Sequence, residues 1–193
     1  GGIGGAGKMG ILVKGGNYLE ALAKTETVVF DKTGTLTEGR FEVAELNAEN
    51  GFDKESVLFY AACAESLSTH PIALSIVNGY GRETDGHAQN ISETAGKGVS
   101  ATVDGHAVLA GNALLMRELG IEFKETVTSG TTVYVAVDGK FAGSIVIKDK
   151  IKRDSAQAIA RLKNTGVKNT VMLSGDNEAI AREVAEKTGL DAV

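Results

Sequence analysis

The chain has 193 residues, 42% of them hydrophobic, enough for one large domain or two small ones. Its formal charge of −5 argues against a nucleic-acid partner or an anionic membrane surface. The single cysteine, Cys63, excludes an internal disulfide and fits a reducing compartment, and no stretch approaches the ~18 apolar residues of a spanning helix or shows a signal-peptide pattern.

Residues 1–26 open on Gly1-Gly2-Ile3-Gly4-Gly5-Ala6-Gly7-Lys8. By letters, Gly2 to Lys8 fits a phosphate-loop spacing, but Met9 stands where a Ser or Thr is needed and no strand precedes it. Small residues around Ile3 instead suit the end of a tightly packed helix leaving a membrane. Ile11 to Lys14 then reads as a short strand, and Tyr18 to Leu22 as a helical turn. The absence of a starting Met, and the stop at Val193 just after a helical pattern, read as a piece of a longer protein.

Thr27-Val28-Val29-Phe30 is an apolar, β-branched run expected as a buried strand. It leads into Asp31-Lys32-Thr33-Gly34-Thr35-Leu36-Thr37, a polar loop. In an open parallel sheet, ligands bind beyond the carboxyl ends of the strands. A carboxylate there can attack a phosphoryl group, with Lys32 and a divalent cation offsetting the repulsion between anions. The plain alternative is an N-capping Asp.

From Phe41 to about Gly143 the pattern changes. Asp53 caps a helix through Val57, Leu58, Ala61, Ala62 and Glu65, and Pro71 starts a second through Ile72, Ile76 and Val77. Two hairpins follow, 99–103 with 107–109 around Asp104-Gly105, and 132–137 with 141–147 around Asp138-Gly139. Between them Asn112 caps a short helix ending at Gly120. The first pattern resumes after Ile147. Asp154 caps a helix closing at Gly166, 167–173 is a strand, Ser174-Gly175-Asp176 a loop, and 177–188 a helix. That order implies a right-handed parallel unit whose loop lies at the same sheet edge as Asp31.

The string DKTGTLT at 31–37 resembles the phosphorylation motif of P-type ATPases, within the haloacid-dehalogenase-like superfamily. The resemblance implies an α/β fold: an incomplete parallel-sheet phosphorylation domain (1–40 and 144–193) with an inserted α+β antiparallel-sheet nucleotide-binding domain (41–143). It makes Asp31 the nucleophile, forming an aspartyl-phosphate from ATP, and Asp31 with the Thr33 carbonyl the ligands of Mg²⁺. Phosphatases of that superfamily carry a second Asp where Thr33 stands, so Thr33 suits a long-lived phospho-enzyme. Lys32, Ser174 and Asp176 are expected to position and neutralise the phosphoryl group, Ser174 replacing the threonine of the family's threonine-glycine-aspartate motif. By themselves, 174–177 read equally as a helix cap.

Glu65 with His70-Pro71 resembles the motif by which heavy-metal pumps hold adenine, and Gly96, Gly98 and Gly111 resemble the glycines lining the same pocket. A plain helix start and ordinary turns are the competing readings of these residues. Asp149 and Lys152 resemble the family's Asp-x-x-Arg segment, with a lysine for the arginine; otherwise they belong to a solvated charge run. The glycine-rich start and Lys14-Gly15-Gly16 are closer to zinc- or cadmium-type than to copper-type pumps. The family's later Gly-Asp-Gly-x-Asn-Asp motif does not occur. The expectation is thus the cytoplasmic ATP-binding and phosphorylation region of a cell-membrane pump for a divalent or soft metal cation, its membrane helices lying elsewhere. A soluble phosphatase of the superfamily, or a nucleotide-binding module unable to turn ATP over, are the alternatives.

Overall fold

The computed structural model describes residues 1–126, 128–175 and 178–193. The chain divides into two compact units, one made of 1–36 with 152–193 and the other of Thr37–Ile151.

The first unit begins with α1 (Gly2–Lys8) and α2 (Gly16–Ala23). The glycine-rich start is therefore helical and not a phosphate loop. The strand expected at Ile11–Lys14 does not form. Gly10 adopts φ +77° and the Ile11 N–H bonds back to the Ala6 carbonyl at 3.0 Å. That closure is a left-handed helix stop, which takes the backbone donor a strand would need.

Strand β1 (Thr27–Asp31) pairs in parallel with a strand late in the chain, Asn169–Leu173, from Thr27 opposite Asn169 to Asp31 opposite Leu173. The expectation of a buried β1 is corrected: Val29 is 54% exposed. Among the described residues this sheet has two strands, and an isolated parallel bridge from Ala192 to Val171 lines the free side of the later one.

In the second unit, six strands lie in one antiparallel sheet. In chain order they are β2 (Thr37–Ala48), β3 (Ala88–Thr94), β4 (Gly98–Val103), β5 (His106–Gly111), β6 (Thr131–Val137) and β7 (Lys140–Ile151). Their spatial order is β2-β7-β6-β5-β4-β3. Both expected hairpins form. Asp104 and Gly105 have φ of 48° and 85°, Asp138 and Gly139 48° and 77°, the twin left-handed residues of a two-residue turn matched to strand twist. Strands β2 and β3 are additional to the sequence reading. The unit starts four residues before Phe41 and ends eight after Gly143, because β2 and β7 pair from Thr37–Ile151 onward.

Side-chain alternation gives this sheet two buried faces. Val133, Val135 and Val137 of β6 pack with the helices α3 (Lys54–Ala64) and α4 (Pro71–Tyr80), through Val57, Ala61 and Ile76. Tyr134 and Ala136 point the other way, to Leu115 and Met116 of α5 (Ala113–Glu118) and to Phe141. Cys63 is fully buried in the first layer, and burial pushes its thiol up to about 11. It is an inert packed thiol.

The chain then completes the first unit with α6 (Ser155–Asn164), β8 (Asn169–Leu173) and α7 (Glu178–Thr188). Asp154 occupies the N-cap of α6 but its side chain makes no cap bond; its backbone lies in the helical region, φ −96° and ψ −6°, and not in the extended form of a capping residue. The Asp191 carboxylate accepts from Lys163 Nζ at 2.6 Å and from both the N–H and hydroxyl of Thr170 at 2.8 Å. Those bonds hold it down to about 2 and tie α6, β8 and the last residues together.

Candidate functional site

The first cluster lies at the carboxyl edge of the parallel pair. Register puts Asp31 opposite Leu173, so the residues that follow, Lys32 on one strand and Ser174 on the other, leave the sheet at the same edge. Asp31 is exposed there, while Lys32 is buried to 9% exposure. Asp176 lies outside the described residues.

Residues 32–36 form an irregular turn in which Thr33 is extended, φ −77° and ψ 125°, and Gly34 has φ 79°. The left-handed value at Gly34 is where a side chain would be strained. Three bonds pin this turn from the later part of the same unit. Lys152 Nζ donates to the Gly34 carbonyl at 2.6 Å. The Lys152 N–H and Ser155 Oγ both donate to the Leu36 carbonyl, at 3.0 and 2.8 Å. The Lys152 amine therefore holds the motif's backbone. Asp149, three residues earlier, belongs to the other unit. Its Oδ2 accepts from Thr37 Oγ1 at 2.6 Å, and its Oδ1 is buried with no hydrogen-bond partner among the described residues.

The second cluster is a cavity of about 280 Å³ in the inserted unit. Glu65, His70, Gly96, Gly98 and Gly111 all line it. These five come from the end of α3, the start of α4, the β3–β4 turn, and β4 and β5.

His70 caps α4: its Nδ1 accepts from the Ile72 N–H at 3.2 Å. With Nδ1 accepting, the neutral ring carries its proton on Nε2, which is left as a donor. Pro71 at the first helical position removes one backbone donor that would otherwise need a partner.

The glycines have two different reasons. Gly96 has φ 71° and open space where a side chain would stand. Gly98 and Gly111 face each other across β4 and β5. A Cβ on Gly98 would lie 2.2 Å from the Ala110 carbonyl oxygen, and one on Gly111 2.3 Å from that of Lys97. This pair lets two backbones meet on the wall of the cavity. Asn112 completes it by donating Nδ2–H to the Gly96 carbonyl at 2.8 Å and accepting from the Leu115 N–H at 3.1 Å.

Glu65 is 7% exposed and accepts no side-chain hydrogen bond among the described residues. Burial, and then the neighbouring Glu93, push its carboxyl up to about 7. Sequence reasoning misses Glu93, because β3 carries no recognisable strand pattern. His87 and His106 each brace an Asp of a hairpin turn: His87 Nδ1 lies 3.0 Å from Asp104, and His106 Nδ1 2.7 Å from Asp138.

A family model described as haloacid dehalogenase-like hydrolase matches residues 25–193. The chain belongs to that family. It is 49% identical over its whole length to a zinc-transporting ATPase of Synechocystis, and 47% identical to a cadmium, zinc and cobalt-transporting ATPase of Bacillus subtilis. It spans 27% and 28% of the lengths of those two proteins. Among solved structures it is similar to a zinc-transporting PIB-type ATPase in the E2.Pi state, with a TM-score of 0.83 and 34% identity, covering 100% of this chain and 32% of the other. This haloacid dehalogenase-like chain thus has metal-transporting ATPases among its relatives, as DKTGTLT together with Glu65, His70-Pro71 and Lys14-Gly15-Gly16 leads one to expect. Among its described residues no helix is long and apolar enough to cross a membrane.

Proposed function

We propose that this chain is the ATP-binding and phosphorylation region of a heavy-metal cation-translocating P-type ATPase, zinc or cadmium being favoured over copper as cargo. The observation that carries the reading is the cavity of the inserted unit. Five residues spread over 47 positions, Glu65 to Gly111, line one space of a size that suits a purine ring. The names of the relatives support the cargo, which crosses the cell membrane through other parts of the protein while this region faces the cytoplasm.

In this reading the adenine lies in the cavity. The Nε2–H of His70 is available to it, and Gly96 leaves room for a ring to approach the backbone. Asp31 attacks the γ-phosphate of ATP in line, forming the aspartyl-phosphate as ADP leaves. Lys32, Ser174 and Asp176 offset and orient the transferring phosphoryl group. Lys152 acts through the backbone, keeping the 32–36 turn in shape by its bond to Gly34.

The donor set suits Mg²⁺, a hard cation satisfied by one or two carboxylates together with phosphate and water oxygens. The exposed Asp31 carboxylate and the Thr33 carbonyl would hold it, where its charge lowers the repulsion between Asp31 and the phosphates. Thr33 cannot donate or take up a proton as an Asp can, so water attack on the aspartyl-phosphate lacks a general base at that position.

Titrating ATP into this chain while following amide shifts should perturb residues around Glu65, His70, Gly96 and Gly111 and weaken in His70→Gln. Equal affinity in wild type and His70→Gln would overturn the adenine assignment. In the full-length protein, Asp31→Asn should abolish the acid-stable phospho-enzyme. ATP hydrolysis that survives the substitution would overturn the nucleophile assignment.

A further inference from the structure

Glu65 is an unusual choice for a ligand wall. The residue is 7% exposed and lines the cavity, and its carboxyl group has no hydrogen-bond or ion-pair partner among the described residues. A buried carboxylate without a donor or cation beside it is strongly disfavoured, and such a group neutralises itself by keeping its proton.

The surrounding charges do nothing to reverse this. From β3, Glu93 faces the same cavity and adds negative charge. From the β3–β4 turn, Lys97 also lines it, but its amine is held by both oxygens of Glu118 at 2.8 and 2.7 Å. His70 at the start of α4 uses Nδ1 on its own helix. The wall from β6 and α5 is formed by Thr131, Thr132, Val133 and Asn112, none of which titrates.

We propose that Glu65 binds a 6-aminopurine as a neutral carboxylic acid, donating its proton to a ring nitrogen while its carbonyl oxygen accepts from the exocyclic amine, and that Glu93 is a positioning residue that keeps the proton on Glu65. The inference deepens the adenine reading and rests on it. A carboxylic acid is the geometric equivalent of a glutamine amide here, the side chain that pairs with adenine's amino group and adjacent ring nitrogen at two points. An ionised carboxylate retains only the contact to the amine and sets a negative charge against the ring-nitrogen lone pair. Because the unliganded carboxyl already sits at about 7, deprotonation competes with binding in the physiological range.

The test is ATP binding to this chain and to its Glu65→Gln and Glu93→Gln variants between pH 6 and 8.5. Affinities are expressed as the ratio to Glu65→Gln at each pH, so that ionisations common to both titrations, those of ATP included, cancel. Glu65→Gln should bind with an affinity within a few-fold of wild type at pH 6. Above pH 7 the wild-type dissociation constant should rise relative to that variant by about tenfold per pH unit, the slope of a single linked proton. In Glu93→Gln the break should move to lower pH, because a like charge has been removed. A carboxyl-carbon titration of Glu65 in the unliganded protein should show the same downward movement. A flat ratio across the range, or a break that ignores Glu93→Gln, overturns the proposal while ATP binding at the cavity stands. Absence of ATP binding in all three proteins at every pH overturns both it and the adenine reading.

Discussion

Gly98 and Gly96 flank one lysine, and the structure gives opposite reasons for them. At Gly98 a Cβ would stand 2.2 Å from the Ala110 carbonyl oxygen and 2.4 Å from Gly111 Cα, with φ at +143°. Both close atoms belong to backbone, so no side chain can turn aside. Restoring an ordinary 3.4 Å contact requires β4 and β5 to part by roughly 1 Å. The Asn112 N–H to Lys97 carbonyl bond, 2.8 Å long, would be lost with that movement. Losing one or two such bonds costs about 0.5–1.5 kcal/mol each, and forcing an L residue into that part of backbone space about 1–3 kcal/mol. Gly98→Ala should therefore destabilise the chain by about 2–6 kcal/mol. Gly96→Ala meets nothing within 4 Å and bears only the left-handed penalty, about 1–2 kcal/mol. Urea unfolding of both variants, followed by circular dichroism, measures the difference. If Gly98→Ala unfolds within 0.5 kcal/mol of wild type, the close approach of β4 to β5 is wrong. Gly96→Ala should lose ATP affinity out of proportion to its stability, because the added methyl projects into open space.

Three further outcomes are expected. The Glu65 carboxyl, ordinarily near 4.5, stands at about 7 in the folded chain, so its contribution to stability is complete below about 4.5 and is lost as pH rises through 7. By the size of that displacement, Glu65→Gln should gain up to about 3 kcal/mol over wild type at pH 8 to 9 and almost nothing at pH 4; parallel stability curves for the two proteins would refute this. Lys152→Ala removes the bond to the Gly34 carbonyl, and hydrogen exchange at amides 33–36 should quicken about five- to tenfold, as the loss of roughly 1 kcal/mol implies; unchanged exchange would show that the amine does not hold the turn. In the full-length protein, Thr33→Asp should speed decay of the phospho-enzyme after an ATP chase by about 10²- to 10⁴-fold, the usual worth of a positioned general base. Normal phosphorylation with unaltered decay would remove the chemical argument for a pump over a phosphatase.

Local chemistry made much of this fold legible without coordinates. Asp-Gly between alternating apolar runs demands a hairpin because few other residue pairs accept two left-handed conformations in succession, and both hairpins formed. Asp53, Asn112 and the His70-Pro71 pair mark helix starts through groups within three residues of the backbone they serve: Asp53 accepts from the Ser56 N–H at 2.7 Å. The order strand, loop, helix and strand implied a parallel pairing, and β1 joined β8. Ile11 to Lys14 misled because β-branched residues only fit a strand, and a strand needs a neighbour; here the end of α1 claims the Ile11 N–H. Strand β3 was invisible for the converse reason, since its exposed positions, Gln89, Ser92 and Glu93 among them, leave no apolar alternation.

What the sequence by itself determined is the set of groups whose partners lie a few residues away, together with the seven-residue motif around Asp31. Tertiary structure alone decided which distant groups share a space and at what cost. Gly98 and Gly111 look like turn glycines until antiparallel pairing sets their backbones against each other. Lys152 reads as part of a solvated charge run or of the family's Asp-x-x-Arg segment until the chain's return brings its amine to Gly34, 118 positions earlier. Glu65 reads as one more position of a helical pattern, or as part of an adenine motif, but only the packing of α3 against the sheet brings it to Glu93 in one cavity, with no ion-pair partner among the described residues. Burial and like charge act through space, so the proton on Glu65 is a property of the packed unit and cannot be written in any one segment of the chain.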